Sequence, residues 1–286
     1  MVSTVARDFE RTLRALEEGR QRLRIAPGAG VFRRDPGRFF HASPELFFQT
    51  GGGTDFSCPG GDFRLRTGEL CLMPTGVPHG EVPLDLRSPY EILVCMQARD
   101  GVFLHRARAT ERREIHAVEA DHIVSARARS AFRYLEDMVH PVPKRHRRAF
   151  ENGLLKSFLI TVLGELHQPA GGTASRSPLV AGAEMLARTQ LGDPEVSVAR
   201  LAVSLGCSAD YLSRRFHQER GLTLSLWMAR ERVAMARDLL TEPRHSITEV
   251  GWMCGFSTPS YFIRVFRQQT GLTPRVWREN QPRPVF

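Results

Sequence analysis

The spacing of apolar side chains changes twice along this chain of 286 residues. Residues 4–24 place Phe9, Leu13 and Leu16 near one face among arginines and glutamates, which predicts a short amphipathic helix. Between about 28 and 110, short apolar or alternating runs are separated by glycine and proline, a pattern typical of a β-barrel or sandwich. The runs are Phe39–Phe40, Glu45–Phe48, Phe63–Leu65, Glu69–Met73, Tyr90–Met96 and Val102–Leu104.

Beyond residue 125 the spacing becomes helical. Residues 126–139 and 144–167 are predicted to form two helices that are broken at residues 140–143, where two prolines lie. The second helix carries a wide apolar stripe that must be buried. It could pack on its own barrel or form the seam of a dimer. We favour the dimer because a helical hairpin has more apolar face than one side of a barrel needs. The stripe consists of Leu154, Leu155, Phe158, Leu159, Val162, Leu163 and Leu166.

The small, polar residues at 171–178 are the best candidate for a linker. They separate a mixed N-terminal part from an all-helical remainder, so the boundary is expected near residue 175. The predicted class is therefore α+β. Its parts are a barrel over 1–125, a helical hairpin over 126–170, a linker over 171–178 and an all-helical domain over 179–286.

The helical domain contains an internal repeat. The stretch from Ser197 to Trp227 matches the stretch from Ser246 to Trp277 after a one-residue insertion near Pro259. Each copy has the pattern of a helix-turn-helix motif, over 197–221 and 246–271. Matched pairs include Gly206 with Gly255, Tyr211 with Tyr261, Arg214 with Arg264 and Phe216 with Phe266.

In each copy, a serine is expected to cap a short first helix, and a glycine to end it in the left-handed conformation. A second serine, Ser208 or Ser257, is expected to cap the second helix. The pattern also places Tyr211 and Tyr261 on the inward face of that helix. The expected cores of the two motifs are Leu201, Leu212, Phe216, Val250, Phe262 and Phe266.

The opposite face of each second helix is polar and basic. A helix held out by a scaffold, with arginine on its face, fits the DNA major groove, which is about 12 Å wide. Two copies joined by a helix over 224–240 would present two such helices to successive grooves. The alternative is a helical repeat that contacts proteins. The exposed positions are Asp210, Ser213, Arg214 and His217 in the first copy and Ser260, Ile263, Arg264 and Arg267 in the second.

The net charge of +9 favours a polyanionic partner such as nucleic acid, although charge alone could also reflect solubility. Five cysteines, none in a CxxC pair, argue against a disulfide scaffold and a cysteine-rich zinc site and fit a reducing cytosol. The sequence has neither a signal-peptide pattern nor an apolar run of about 18 residues. We therefore expect no membrane partner and a cytoplasmic, nucleoid-associated location.

The second copy resembles the C-terminal signature of the AraC/XylS family of bacterial transcription regulators, and the resemblance covers about residues 180–280. It implies two helix-turn-helix motifs with base-reading positions on their exposed faces. Asp210, Pro259 and Ile263 are poor hydrogen-bond donors, so reading is expected to rest on Arg214 and Arg264, while Ile263 could touch a thymine methyl group. The signature residues are Gly255–Ser257, Ser260–Phe262, Arg264, Phe266, Gly271 and Thr273–Pro274. The implied base-reading positions are Asp210, Ser213, Arg214, Pro259, Ser260, Ile263 and Arg264.

The stretch from Gly68 to His79, with the spacing G-x5-P-x-G-x2-H, resembles the cupin barrel together with His41 and Glu45. Cupin enzymes bind a metal through three histidines and a glutamate, but Ser43 replaces one histidine here and the last motif has no further ligand. We therefore expect no metal and no other cofactor. The resemblance to the cupin-like sensor of AraC-type regulators fits better and implies a small-molecule effector. Candidate effector-binding residues are His41, Glu45, Phe47, Arg64, Met73 and His79.

These patterns predict a dimeric DNA-binding transcription regulator, not an enzyme, whose activity responds to a small molecule in the barrel. The expected partners are double-stranded promoter DNA, a second copy of the chain and, for an activator, RNA polymerase. Three alternatives stay open. The barrel could be a metal-dependent cupin enzyme or a ligand-independent dimerisation module, and the chain could coat DNA without sequence preference.

Overall fold

The computed structural model describes residues 4–27, 43–84, 89–98, 100–109, 111, 115–167, 177–241 and 245–281. These residues form two compact units, an N-terminal unit described up to residue 167 and a C-terminal unit described from residue 177. The N-terminal unit combines sheets with helices, whereas the C-terminal unit is helical. The chain therefore has the mixed α+β class that the sequence predicts.

The described strands of the N-terminal unit form a six-stranded sheet, in the order β1-β5-β2-β7-β8-β9, and a three-stranded sheet, in the order β4-β3-β6. Only β1 and β5 pair in parallel among these neighbours. Each predicted run except Phe39–Phe40, which lies outside the described residues, falls wholly or largely within a strand. The strands are β1 (Arg22–Ile25), β2 (Glu45–Gly51), β3 (Gly53–Ser57), β4 (Phe63–Arg66), β5 (Glu69–Met73), β6 (Gly80–Pro83), β7 (Glu91–Ala98), β8 (Gly101–Ala109) and β9 (Ile115–Val124).

Three α-helices and one 3-10 helix accompany these sheets in the described residues. They are α1 (Thr4–Glu17), α2 (Ala126–Arg133), the 3-10 helix (Tyr134–Val139) and α3 (Lys144–Leu166). The predicted helix over 4–24 is therefore too long. Gly19 adopts a positive φ of 67° just after α1, a conformation that stops a helix, and the residues from Arg22 onward join the sheet instead.

Strand β2 shows how the six-stranded sheet contributes to two cores. Phe48 faces the helices and stacks on Phe9 of α1, with ring centroids 5.0 Å apart. Phe47 points to the other face and meets Phe56 of β3 edge-on at 5.1 Å. Because side chains alternate along a strand, Glu45 lies on the same face as Phe47. One face of the sheet is therefore covered by helices, and the other face contacts the three-stranded sheet.

The apolar stripe of α3 packs within its own unit. The ring of Phe158 lies 6.0 Å from that of Phe9 on α1 and 5.2 Å from that of Phe132 on α2. Leu155, Leu159 and Val162 are fully buried in the same cluster. The sequence-based reason for preferring a dimer seam is thus removed, because the unit itself covers the stripe. The dimer stays a prediction.

The C-terminal unit consists, in the described residues, of seven helices with short connections. Helix α7 follows the first repeat copy and leads to the second, over the range predicted from the sequence. The helices are α4 (Pro178–Thr189), α5 (Val198–Ser204), α6 (Ala209–Arg220), α7 (Leu224–Leu240), α8 (Ile247–Met253), α9 (Pro259–Thr270) and α10 (Pro274–Glu279).

Candidate nucleic-acid interface and interior polar cluster

The first helix of each repeat copy begins and ends as the sequence predicts. The hydroxyl of Ser197 accepts a hydrogen bond from the backbone N–H of Arg200, and Ser246 forms a full capping box with Glu249. Gly206 and Gly255 follow the two helices with φ values of 67° and 74°. This left-handed conformation is easiest for glycine and turns the chain toward the second helix.

The second helices α6 and α9 are also capped by hydroxyl groups. Ser208 accepts a hydrogen bond from the N–H of Tyr211, as predicted. At α9 the cap is Thr258, whose hydroxyl accepts from the N–H of Tyr261, so the prediction that Ser257 caps this helix is wrong. The extra residue of the second copy lies between Gly255 and Thr258, ahead of the cap.

Two buried residues, one helical turn apart, anchor each second helix. Leu212 and Phe216 hold α6, and Phe262 and Phe266 hold α9. The six predicted core positions are all buried; the remaining two are Leu201 and Val250. Close packing is visible where a Cβ added at Gly251 of α8 would lie 2.8 Å from Cδ1 of Phe262.

The two tyrosines of the repeat are not core residues. Tyr211 is 49% exposed and Tyr261 is 40% exposed, which corrects the prediction that both face inward. The reason is helical geometry, because adjacent residues lie about 100° apart around a helix and only the i, i+4 pair shares the buried face. Both tyrosines therefore join the outer surface of α6 and α9.

Basic side chains occupy the outer face of both helices. Arg214 on α6 and Arg264 and Arg267 on α9 are exposed, and none of the three has a carboxylate partner among the described residues. The guanidinium of Arg264 lies 5.3 Å from the ring centre of Tyr261. Asp210, His217, Ser260 and Ile263 are exposed as well, whereas Ser213 and Pro259 are partly buried. On α9, the residues Ser260, Ile263, Arg264, Arg267 and Gln268 line one open cavity of about 800 Å³.

Buried ion pairs, which the sequence reading missed, connect α4 to the first copy and to α7. Arg188 on α4 pairs with Glu231 on α7 and lies 5.0 Å from the ring centre of Trp227. Glu184, also on α4, pairs with Arg220 at the end of α6. Charges taken from water need such partners, so these pairs fix the placement of the helices. The sequence feature that could have indicated these pairs is the spacing of Glu184 and Arg188, which lie four residues apart on α4.

The N-terminal unit holds a second group of polar residues between its two sheets. His79 is fully buried, and its Nε2 lies 3.4 Å from Oε2 of Glu45 and 3.3 Å from Oε1 of Glu81. Its Nδ1 lies 3.0 Å from the carbonyl oxygen of Val77. The ring of Phe47 meets the imidazole edge-on at 5.9 Å, and Met73 is the cross-strand partner of Glu45. Four of the candidate effector-binding residues therefore lie close together.

The remaining two candidate effector-binding residues are Arg64 and His41. Arg64 does not point inward, because its side chain is 54% exposed and donates from Nε to Oδ1 of Asp55 at 3.0 Å on the outer surface. The prediction of Arg64 as a ligand-binding residue is therefore wrong for an interior site. His41 lies outside the described residues. Within those residues, no group of three or more histidine, cysteine, aspartate or glutamate side chains is arranged to hold a metal ion.

Burial and charge set the protonation of this interior cluster. Burial raises the pKa of Glu45 to about 8, which favours the neutral acid. Burial lowers the pKa of His79, but its bond to Glu81 and the nearby carboxylates outweigh this and raise the pKa to about 9. The two groups are coupled, because the nearby Glu45 carboxylate contributes to the raised pKa of His79 while His79 opposes the rise in the pKa of Glu45. His105, which the sequence did not indicate, lies on β8, two strands from β2, where burial lowers its pKa to about 4.

Comparison with known proteins supports the DNA-binding assignment of the C-terminal unit. Residues 201–280 match a family model described as a helix-turn-helix domain. The chain is 28% identical over 147 residues to the HTH-type transcriptional activator RhaR of Cronobacter sakazakii. The aligned segment covers 51% of this chain and 52% of that protein. The chain is 38% identical over 72 residues to RhaR of Escherichia coli, which covers 25% and 26%.

The solved structure of an AraC-type transcriptional regulator from Chromobacterium violaceum is 30% identical in sequence, with a TM-score of 0.34. The match covers 38% of this chain and 96% of that chain. The curated matches span about half, or a quarter, of the relatives' length. Two capped helix-turn-helix motifs with basic outer faces, together with the family-model match, make the C-terminal unit a DNA-binding domain of transcription regulators. These matches support the resemblance of this domain to the AraC/XylS family of regulators.

Proposed function

We propose that the whole chain is a sequence-specific transcription regulator that inserts α6 and α9 into successive major grooves of promoter DNA. The observation that carries the proposal is the matched pair of helices, each anchored by two buried side chains and each presenting exposed arginine. Relatives named as transcriptional activators favour activation, with RNA polymerase as a further partner.

Substitution of the two matched arginines tests the docking model. Arg214→Ala and Arg264→Ala are each expected to weaken binding to the cognate promoter roughly tenfold or more, because one arginine–guanine contact contributes about 1–3 kcal/mol of discrimination. Thermal stability should not change, since both side chains are exposed. The matched control is Arg230→Ala, an exposed arginine on α7. Unchanged affinity in both arginine variants would contradict the model.

A nonspecific DNA-coating protein is the competing function at this surface. Titration of promoter and random duplexes at physiological salt separates the two. A sequence-specific regulator is expected to bind the promoter at least about a thousandfold more tightly. Equal affinity for both duplexes would favour DNA coating.

For the N-terminal unit, we propose a cupin-like arrangement of two facing sheets whose interior binds a small-molecule effector. The contact between Phe47 of β2 and Phe56 of β3 supports facing sheets, and the buried group of Glu45, Met73 and His79 supports the interior as the binding region. A metal-dependent cupin enzyme is the alternative. Elemental analysis of purified protein decides between them, because stoichiometric metal that is lost in His79→Ala would favour the enzyme. The helix-turn-helix match and the relatives named as transcriptional activators support the proposal that the chain is not an enzyme.

A homodimer is the assembly we propose, although the α3 stripe no longer argues for it. The apolar side chain that α3 still offers at its surface is Ile160, which is 50% exposed. Sedimentation of the full chain and of Ile160→Glu tests this face, since a dimer formed through it should dissociate. No helix in the described part of the chain is both long and apolar enough to cross a membrane.

A further inference from the structure

A strongly basic cavity of about 1020 Å³ lies on the N-terminal unit, apart from the interior cluster. It is bounded by the turn after α1, by β1, by the start of β5 and by the first turns of α3. Six cations line it, against two carboxylates. The cations are Arg20, Arg22, Arg24, Lys144, Arg147 and Arg148, and the carboxylates are Glu69 and Glu151.

The two carboxylates are already engaged. Glu151 accepts a hydrogen bond from Nε of Arg147, whose other nitrogens donate to the carbonyl oxygens of His140 and Met138 at 2.9 and 2.8 Å. Glu69 accepts from the backbone N–H of Arg66 at 3.0 Å. Arg147 and Glu151 therefore form a neutral structural pair.

Three other cations at the cavity lack such a partner. Among the described residues, Arg24, Lys144 and Arg148 make no ion pair with a carboxylate. Arg148 donates to the carbonyl oxygen of Gly19 at 2.7 Å, and Arg24 lies 5.0 Å from the ring centre of Phe63. These contacts hold two guanidinium groups at the cavity while their charge stays uncompensated.

The charges at the start of α3 are unfavourable for the helix itself. Its first residues are Lys144, Arg145, His146, Arg147 and Arg148, and its first turn contains no acid. The N-cap, Pro143, makes no side-chain cap. The positive end of a helix dipole repels cations and attracts anions, so this sequence weakens the free helix and is relieved by a bound anion.

We propose that this cavity binds a small multivalent oxyanion, such as the diphosphate group of a phosphorylated metabolite. Arginine and lysine suit such groups because charge-assisted hydrogen bonds to oxyanions are strong and arginine can bind two oxygens at once. The cavity volume fits a small ligand rather than a macromolecule. The site is independent of the arginines on α6 and α9, which belong to the other unit.

Calorimetric titration of the full chain with inorganic pyrophosphate, at constant ionic strength, tests the site. Wild-type protein is expected to give saturable heat. The double substitution Lys144→Gln, Arg148→Gln should weaken binding about a hundredfold, since each lost charged contact removes roughly tenfold. The matched control is Arg145→Gln, which neutralises the same turn of α3 outside the cavity and should leave affinity unchanged. The melting temperature of each variant should not fall, because fewer cations face the helix dipole.

Four results would overturn the proposal, and the last of them comes from the variant that carries both Arg214→Ala and Arg264→Ala. One is the absence of saturable heat with pyrophosphate, and a second is an equal loss of affinity in Arg145→Gln. The third is a loss of random-duplex DNA binding in the Lys144, Arg148 double variant, which would make this surface a DNA contact. Heat that persists in the variant carrying both Arg214→Ala and Arg264→Ala supports the cavity, whereas heat that disappears there assigns the anion to the C-terminal unit.

Discussion

At the scale of single residues, one hydroxyl group determines where each second helix of the repeat, α6 or α9, begins. The repeat alignment predicts Ser257 as the cap of α9, but it does not by itself separate this hydroxyl from that of Thr258 beside it. Pro259 does, because proline is favoured at the first helical position and holds the residue before it extended. The cap must then be Thr258, whose φ of −138° and ψ of 147° are extended.

The two hydroxyls are expected to differ in their effect on stability. Thr258→Ala should lower the free energy of unfolding by about 1 kcal/mol, because it removes an N-cap. The neighbouring Ser257→Ala is the matched control and should stay within about 0.5 kcal/mol, as for other exposed positions. Chemical denaturation of the C-terminal unit measures both. A larger effect at Ser257 would contradict the assigned cap.

The buried carboxyl of Glu45 makes a prediction about pH. Its pKa is raised from 4.5 to about 8 in the folded state, so folding favours the protonated acid and stability falls as pH rises through this window. His79 adds stability that is present below its unfolded pKa and is lost as pH rises through about 9. Glu45→Gln keeps a neutral polar group and should flatten the stability profile of the N-terminal unit between pH 5 and 8.

Scanning calorimetry at a series of pH values measures this profile. Glu111→Gln, an exposed glutamate of the same unit, is the control for loss of one carboxyl and should leave the slope unchanged. An unchanged slope in Glu45→Gln would show that its carboxyl does not titrate in this window.

At the scale of elements, a buried arginine joins α1 to the six-stranded sheet. Arg106 on β8 is 2% exposed and donates from Nη2 to Asp8 of α1 and from Nη1 to Glu91 of β7, each at 2.6 Å. Arg108, two residues along the strand, bonds the same Glu91 but is 59% exposed. The same carboxylate thus has one buried and one solvated partner.

These two arginines are expected to contribute unequally. Arg106→Met should destabilise the N-terminal unit by about 3–5 kcal/mol, because it leaves carboxylates without their buried partner. Arg108→Met should cost less than about 1 kcal/mol, since exposed ion pairs contribute little. Urea denaturation followed by circular dichroism compares them. Similar losses in the two variants would mean that burial does not strengthen the Arg106 pairs.

Elements whose apolar residues recur at a regular helical or strand spacing were predictable from the sequence. Elements whose local sequence fits both a helix and a strand were not. The repeat, with its glycine turns and the i, i+4 pairs of α6 and α9, predicted α5, α6, α8 and α9 but neither α4 nor α10. Strand β1 was missed for two reasons. Its residues, Arg22–Ile25, continue the mixture of basic and apolar residues seen in α1. In addition, β1 pairs with β5, which is distant in sequence, so no local pattern indicates the pairing. Likewise, the partners of Arg106 are far apart in sequence, so no local pattern could indicate them.

At the scale of the whole molecule, the net charge of +9 is divided between surfaces with different expected partners. In the proposed docking, Arg267 on α9 contacts DNA phosphate, so Arg267→Ala should reduce the salt dependence of promoter binding by about one counterion. Lys144→Gln with Arg148→Gln should leave that dependence unchanged. Binding measured at several salt concentrations separates the two, and a reduced slope in the Lys144, Arg148 variant would contradict this division.

The single helix that joins the two repeat copies has a consequence for the target. Helix α7 has 17 residues and is therefore about 25 Å long, with one reading surface before it and a different one after it. If α6 and α9 bind successive major grooves as proposed, a protomer is expected to recognise two unlike half-sites in fixed order, about one DNA turn apart. Its target should have a polarity: reversing one half-site, or inserting five base pairs between them, should abolish binding even though every base of each half-site is still present.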